Sequence, residues 1–260
     1  MKIFIITQEE AFYLPAVIRT VLAAWGKDLL GMTILPSSGP KKRWQKIINT
    51  YYHLYGPRTF LYQGGRFVFY RVMNFLGRFV SLKGFYSVHA VARHYKVPLY
   101  PTPNINRQEY LDSLRLLAPD VVVSISANRI FKRGLLMLPR LGCINVHGAL
   151  LPMYRGRLPS FWALLNGERE TGVTVHIMNE EIDDGPILAQ RRVPIVPGET
   201  QHSLILKTKI AGAELLIETV DRLKRGEIEE QPNHRNQATY YSFPTPRDGR
   251  KFRDLGLRFI

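Results

Sequence analysis

The distribution of apolar and polar positions along the chain alternates between two periods. Lys2–Ile6 is a short apolar run with the reach of a buried strand, and Pro15–Trp25 repeats apolar residues at helical spacing, with proline in the first turn and Gly26 at its end. Gly31–Leu35 predicts a second strand, closed by Pro36 and Gly39-Pro40. Phe85–Tyr95 predicts a helix, Val97–Tyr100 a short strand, and Gln108–Leu117 another helix. Asp120–Ser126 carries β-branched residues on both faces, the pattern of a strand buried on both sides. Beyond it the chain predicts a short helix over Lys132–Leu138, a strand over Gly142–His147 and a helix over Pro159–Asn166. Strands over Thr171–Met178 and Ile187–Val193 precede a long helix over Ser203–Arg225, whose apolar face is Leu204, Leu206, Ile210, Ala213, Leu216, Ile217, Val220 and Leu223. Strands alternating with helices predict an α/β fold, a mostly parallel sheet covered by helices on both faces.

One region interrupts this order. Between about 41 and 86 the chain is crowded with aromatic residues interleaved with arginines, and it predicts two or three short helices inserted in the domain. The expected organisation is a main domain over 1–225, carrying that insert, and a short C-terminal extension over 226–260.

Charge sharpens the picture of the insert. The chain carries 36 Lys and Arg against 21 Asp and Glu, a net +15. No Asp or Glu occurs from Leu29 to Gln108, whereas Lys41, Lys42, Arg43, Lys46, Arg58, Arg66, Arg71, Arg78, Lys83, Arg93, Lys96 and Arg107 all fall there. Such a stretch attracts polyanions, whether nucleic acid, anionic lipid head groups or a phosphorylated substrate. A helical cap on the sheet with snorkelling arginines is the plainer structural role. The single cysteine, Cys143, excludes an internal disulfide, and the N-terminal apolar run is too short for a signal-peptide core, so a cytoplasmic location is expected. No window reaches the length of uncharged apolar sequence needed for a membrane span.

The candidate chemistry lies after the Gly142–His147 strand. Asn145 and His147 stand two residues apart, so the period of a strand turns both side chains to the same side, at the carboxyl end where open parallel sheets bind ligands. An amide N–H can stabilise an oxyanion, and an imidazole can move a proton or, when charged, stabilise the same anion. That pair suits acyl transfer. Ordinary hydrogen bonding at a strand end would produce the same pair. Cys143 predicts a small apolar core residue, His176 a packing or surface histidine, and Asp184 a turn residue before Gly185. The histidines show no metal-ligand spacing with cysteine or acids, and no metal is expected.

The wider pattern is Asn145-x-His147-x-x-Leu150-Leu151-Pro152-x-Tyr154-Arg155-Gly156, then Asn166-Gly167-Glu168, Thr171-Gly172-Val173-Thr174-Val175-His176 and Ile182-Asp183-Asp184-Gly185-Pro186-Ile187-Leu188. These blocks, in this order, resemble the folate-dependent formyltransferase family, which includes methionyl-tRNA, glycinamide ribonucleotide and sugar N-formyltransferases. The resemblance runs from about 116 to 197. It implies a Rossmann-like sheet, 10-formyltetrahydrofolate as formyl donor, and Asn145, His147 and Asp183 as the catalytic residues. It further implies that the pterin is held by backbone in the loop Ser124, Ile125, Ser126, Ala127, Asn128 to Ile130 and in the loop Ile182, Gly185 and Pro186. Tyr154, Arg155 and Gly156 follow the motif as candidate substrate contacts, with Arg155 either on a substrate phosphate or structural.

The acceptor amine is less constrained. The purine-pathway members carry a glycine-rich phosphate loop after the first strand, where this chain has Thr7-Gln8-Glu9-Glu10. The methionyl-tRNA enzymes carry a C-terminal barrel, for which the residues after the long helix are too few, although Lys41-Lys42-Arg43 matches their basic loop. The expected acceptor is therefore anionic, a nucleotide-linked amino sugar in the first place and tRNA in the second. A hydrolase releasing formate from the folate is the further alternative, and the insert could contact nucleic acid or a membrane surface, or form a lid or dimer surface.

Overall fold

The computed structural model describes residues 1–36, 44–77, 79–80 and 84–260, with backbone alone at 44, 46 and 47. Lys41, Lys42, Arg43, Arg78 and Lys83 lie outside the described residues. The strands are β1 (Ile3–Gln8), β2 (Leu29–Leu35), β3 (Val121–Ile125), β4 (Cys143–His147), β5 (Arg155–Gly156), β6 (Glu170–Ile177), β7 (Ile187–Pro194) and β8 (Tyr240–Tyr241). The α-helices are α1 (Leu14–Trp25), α2 (Trp44–Tyr55), α3 (Pro57–Leu76), α4 (Val88–His94), α5 (Gln108–Leu117), α6 (Arg133–Leu136), α7 (Pro159–Leu165), α8 (Gln201–Arg225) and α9 (Pro246–Asp254).

Six strands form one sheet in the order β2-β1-β3-β4-β6-β7. The first four are mutually parallel, and β6 and β7 run antiparallel to their neighbours. The sheet is thus α/β and mostly parallel, with an antiparallel edge that periodicity could not announce. The expected strand at Val97–Tyr100 is only a bridge from Leu99 to Met32. The helix expected from Phe85 begins at Val88, because the Ser87 hydroxyl caps it by accepting the Ala90 N–H.

Strand alternation divides the core into two layers. Ile3, Ile5, Val121, Val123 and Ile144 pack with α1, α4 and α8 on one face, and Phe4, Ile6, Val122 and Cys143 with α5 and α6 on the other. The face of α8 differs from expectation: Leu206 and Ile210 are exposed, and Thr208, Gly212 and Thr219 take the buried stripe. Gly212 sets the approach of α8, since a Cβ there would stand 3.0 Å from Val146.

A third apolar cluster joins the insert to the chain's last residues. Leu54 of α2 packs with Phe161, Phe252 and Phe259, and Gly249 of α9 lies so close to Leu54 that a Cβ would meet its carbonyl oxygen at 2.4 Å. Among the described residues no helix is long and apolar enough to cross a membrane.

Candidate active site

Strand β4 presents Asn145 and His147 to the same side, and the antiparallel pairing with β6 sets His176 opposite Asn145 and Thr174 opposite His147. Asp183 arrives from the β6–β7 loop, which folds back against β6. Gly185 makes that return possible: a Cβ on it would sit 2.0 Å from the Ile177 carbonyl oxygen. Asp183 itself holds a left-handed backbone (φ 52°), a conformation that Asp tolerates better than most residues.

The three groups converge. One Asp183 carboxylate oxygen accepts the Gly156 N–H at 2.9 Å and stands 3.5 Å from His147 Nδ1. The other stands 3.6 Å from His176 Nε2. Asn145 Nδ2 lies 3.2 Å from the same His176 nitrogen. His176, expected to serve packing or surface, is therefore a buried member of this constellation. Its signal in the sequence was its strand parity with Thr174, which becomes informative only once β6 is known to pair with β4.

One hydrogen bond fixes the proton on Nε2 of His147. His147 Nε2 is 2.8 Å from the Tyr154 carbonyl oxygen, which can only accept, so the ring carries its proton on Nε2. A neutral His147 then turns the lone pair of Nδ1 toward Asp183. Burial pushes the His147 pKa below its ordinary 6.5, against the opposing pull of Asp183. Burial alone would raise Asp183, but His147, His176 and the Gly156 N–H outweigh it and hold this carboxyl well below the usual carboxylate range. Above its lowered pKa the ring leaves Nδ1 unprotonated beside the carboxylate. A proton arriving at Nδ1 would complete an ion pair. The Tyr154 carbonyl thus holds a proton on Nε2 and leaves Nδ1 as the nitrogen that faces Asp183.

The other expected residues fall into two groups. Ser124 and Ile125 belong to β3 and are buried, so the candidate pterin loop begins at Ser126, itself at a positive φ of 55°. Asn128 ties this loop to Pro36 through its side chain, and Ile130 and Ile182 expose apolar side chains on the two loops adjoining the trio. Ser126 Oγ accepts a hydrogen bond from Lys209 Nζ of α8. Lys209 lines a small cleft with Ile125, Ser126, Val146 and Gly148, and burial lowers its pKa. Nothing in the sequence pattern distinguished it from its neighbours on α8.

Asp184 does more than the turn expected of it, and Arg155 shows the structural one of its two expected roles. The Arg155 guanidinium is buried, bonded to the Asp184 carboxylate and, at 2.8 Å, to Asn233 Oδ1. Arg235 closes the other side of Asp184, 2.5 Å from Nη2 to Oδ2. Arg155 is therefore tied to Asp184 and Asn233, and Asp184 anchors two arginines as well as preceding Gly185. Asn233 Nδ2 also donates to the Asp183 and Gly185 carbonyls, both at 3.0 Å, so the 183–186 loop is fastened from the C-terminal segment. Gly156 serves the site through its N–H on Asp183, and the Tyr154 hydroxyl donates to Glu168 at 2.5 Å. Among the described residues no group of three His, Cys, Asp or Glu is placed to hold a metal.

Residues 81–220 match the formyl transferase family. The chain belongs to the formyl transferase family. A methionyl-tRNA formyltransferase from Trichlorobacter lovleyi is 40% identical over 153 residues, 59% of this chain and 48% of that protein. This formyltransferase-family chain thus spans about half the length of the curated relatives it matches. Its fold is shared with the phosphoribosylglycinamide formyltransferase of Anaplasma phagocytophilum (TM-score 0.62, 15% identity, 94% of this chain and 99% of the other). It is shared also with an N-formyltransferase from Helicobacter canadensis, in complex with folinic acid and dTDP-3-aminofucose (TM-score 0.59, 18% identity, 93% and 71%).

Proposed function

We propose that the protein transfers a formyl group from 10-formyltetrahydrofolate to a primary amine of an anionic acceptor, in the first place a nucleotide-linked amino sugar. The observation that carries this reading is the meeting of Asn145, His147 and Asp183, with a proton-accepting Nδ1 facing a carboxylate at 3.5 Å. The donor supplies an activated formyl carbon. The acceptor nitrogen attacks it, a carbon–nitrogen bond forms, the bond to the folate nitrogen breaks, and one proton passes overall from the amine to the folate. Asn145 Nδ2 is the donor suited to the developing oxyanion. His147 Nδ1 takes the amine proton, and Asp183 stabilises the imidazolium so formed. Exposed Ile130 and Ile182 offer apolar surface to a ring system on the two candidate pterin loops.

Two features bear on the acceptor. The 80-residue acid-free stretch and Lys209 in the cleft favour an anion. The anion site at the start of α1, however, is already filled: the Glu10 carboxylate accepts the N–H groups of Phe12, Tyr13 and Leu14 at 2.7–2.9 Å. Glu9 does the same for α4, accepting from Val88 at 2.9 Å and His89 at 3.3 Å. These two acids stand where a phosphoribosyl acceptor would need a phosphate loop, which argues against that class. The 40% identity to a methionyl-tRNA formyltransferase favours tRNA as the second reading.

The test offers labelled 10-formyltetrahydrofolate with initiator methionyl-tRNA and with a panel of amino-sugar nucleotides. Label on an amino-sugar nucleotide, lost in His147→Asn, supports the proposal. Label on tRNA alone moves the acceptor to the second reading. Formate released without an added amine identifies a hydrolase and overturns transfer.

A further inference from the structure

Helix α3 is amphipathic in the inverted sense. At 100° per residue, Leu61, Val68, Val72 and Phe75 fall on one stripe, and that stripe faces away from the protein: they are 72%, 60%, 49% and 56% exposed. Phe69 and Leu76 flank it, also exposed, and Phe79 continues it beyond the helix. Thr59, Gln63, Tyr70 and Asn74 lie on the opposite side and are half-buried against the body.

The orientation is fixed by specific contacts. Asn74 Oδ1 accepts the Ser87 hydroxyl at 2.7 Å, the Arg66 guanidinium lies 4.9 Å from the centre of the Phe12 ring, and Tyr70 packs edge-on against Phe12 and Tyr86. The helix is thus held by its polar side and presents its apolar side to solvent. No residue of α3 is fully buried.

Charge selects the occupant. Arg58 and Arg71 are exposed beside the stripe, and the surrounding stretch from Leu29 to Gln108 has twelve basic residues and no acid. A second copy docking through the same face would bring two such stretches together and repel. RNA would need rings or arginines along the face, but its centre is aliphatic, and Arg66 is turned inward onto Phe12. An apolar stripe edged by arginines matches a bilayer surface that offers acyl chains and negative head groups together.

We propose that α3 docks this protein on anionic lipid membranes, lying in the plane of the interface with Leu61, Val68, Val72 and Phe75 inserted and Arg58 and Arg71 at head-group level. Phe12, which α3 grips, follows β1 at the end of the sheet that carries His147, so docking holds that end of the molecule beside the lipid.

The experiment is flotation of the full chain with vesicles of phosphatidylcholine containing about one-third phosphatidylglycerol, and with pure phosphatidylcholine. The protein is expected to float with the anionic vesicles and to bind the neutral ones at least about tenfold more weakly. Val68→Glu with Val72→Glu removes apolar contact at exposed positions and is expected to weaken binding at least about tenfold. Arg58→Glu with Arg71→Glu is expected to do the same through charge. Circular dichroism melts matching the parent show that both variants fold. The proposal is overturned if the parent does not float with anionic vesicles, or if the folded variants float as the parent does. It is equally overturned if the valine pair instead breaks a dimer seen by light scattering, or abolishes RNA binding, in a protein that ignores vesicles.

Discussion

The placement of Asp183 depends on a close approach that only glycine allows, and Gly185→Ala tests it. The added methyl carbon would start 2.0 Å from the Ile177 carbonyl oxygen and 2.9 Å from its carbon. Reaching ordinary van der Waals separation requires about 1.4 Å of movement. β6 is fixed on both sides, by β4 and β7, so the 183–186 loop must give. Asp183 moves with it, while Asn145 and His147 stay with β4. A misplacement of about 1 Å in a catalytic group costs on the order of 100-fold in rate. Overpacking strain of about 1–3 kcal/mol corresponds to a loss of about 2–12 °C in Tm for a chain of this size. The expected outcome is therefore a variant that remains folded at assay temperature and has kcat/KM about 100-fold lower. It is measured by amine-dependent release of tetrahydrofolate, with the acceptor that the labelling screen identifies. Gly64→Ala is the companion: a Cβ there meets nothing within 4 Å, so activity should be unchanged and Tm equal or higher. A Gly185→Ala enzyme within about threefold of the parent, with the expected drop in Tm, would refute the link between this contact and catalysis.

His147→Asn should lower kcat/KM by about 10²–10⁴-fold. Because the parent's ring must be neutral to take a proton and its pKa is lowered by burial, the acid limb of the rate profile should fall below pH 6.5, with a plateau above; a midpoint above 7 would contradict the base role. Stability should fall on acidification in two stages, read from urea midpoints between pH 7 and 3. The unfolded chain takes up a proton at His147 below 6.5 that the buried ring resists, and below about 3.8 the unfolded carboxyls protonate before Asp183 and Asp184 do. A midpoint that rises toward pH 3 would be inconsistent with both. Arg155→Met leaves the buried Asp184 with only Arg235 and the Asn179 amide, and should cost about 3 kcal/mol by chemical denaturation; a loss below about 1 kcal/mol would show the pair to be dispensable. Burial raises the Cys143 thiol far above its ordinary pKa, so iodoacetamide at pH 8 should label it only after unfolding.

Much of the scaffold was legible because it is written in local period. Alternation placed Ile3, Ile5, Phe4 and Ile6 on opposite faces of one strand, and it placed Asn145 beside His147 on another. The acid-free aromatic stretch announced itself by composition, but where the two or three short helices expected there stand, the described residues form α2 and a 20-residue α3. What periodicity records is which residues share a face, never which strand lies next to that face. A buried strand presents the same β-branched pattern whether its neighbour runs parallel or antiparallel, so the reversal at β6 was hidden, and with it the meeting of Asn145 and His176. Asp183 joins His147 across a loop whose path is set by the fit of Gly185 on Ile177 and by Asn233, far along the chain. The two roles open to Arg155 could not be separated in sequence, because its charge is visible there while its burial is not. Glu9 and Glu10 looked like a missing phosphate loop, and the fold turned them into caps for two helices. The sequence determined the elements and the chemistry available. Tertiary packing alone decided which charges are spent on the protein itself, and that the apolar stripe of α3 faces outward, because long-range contacts choose between faces that local sequence leaves equivalent.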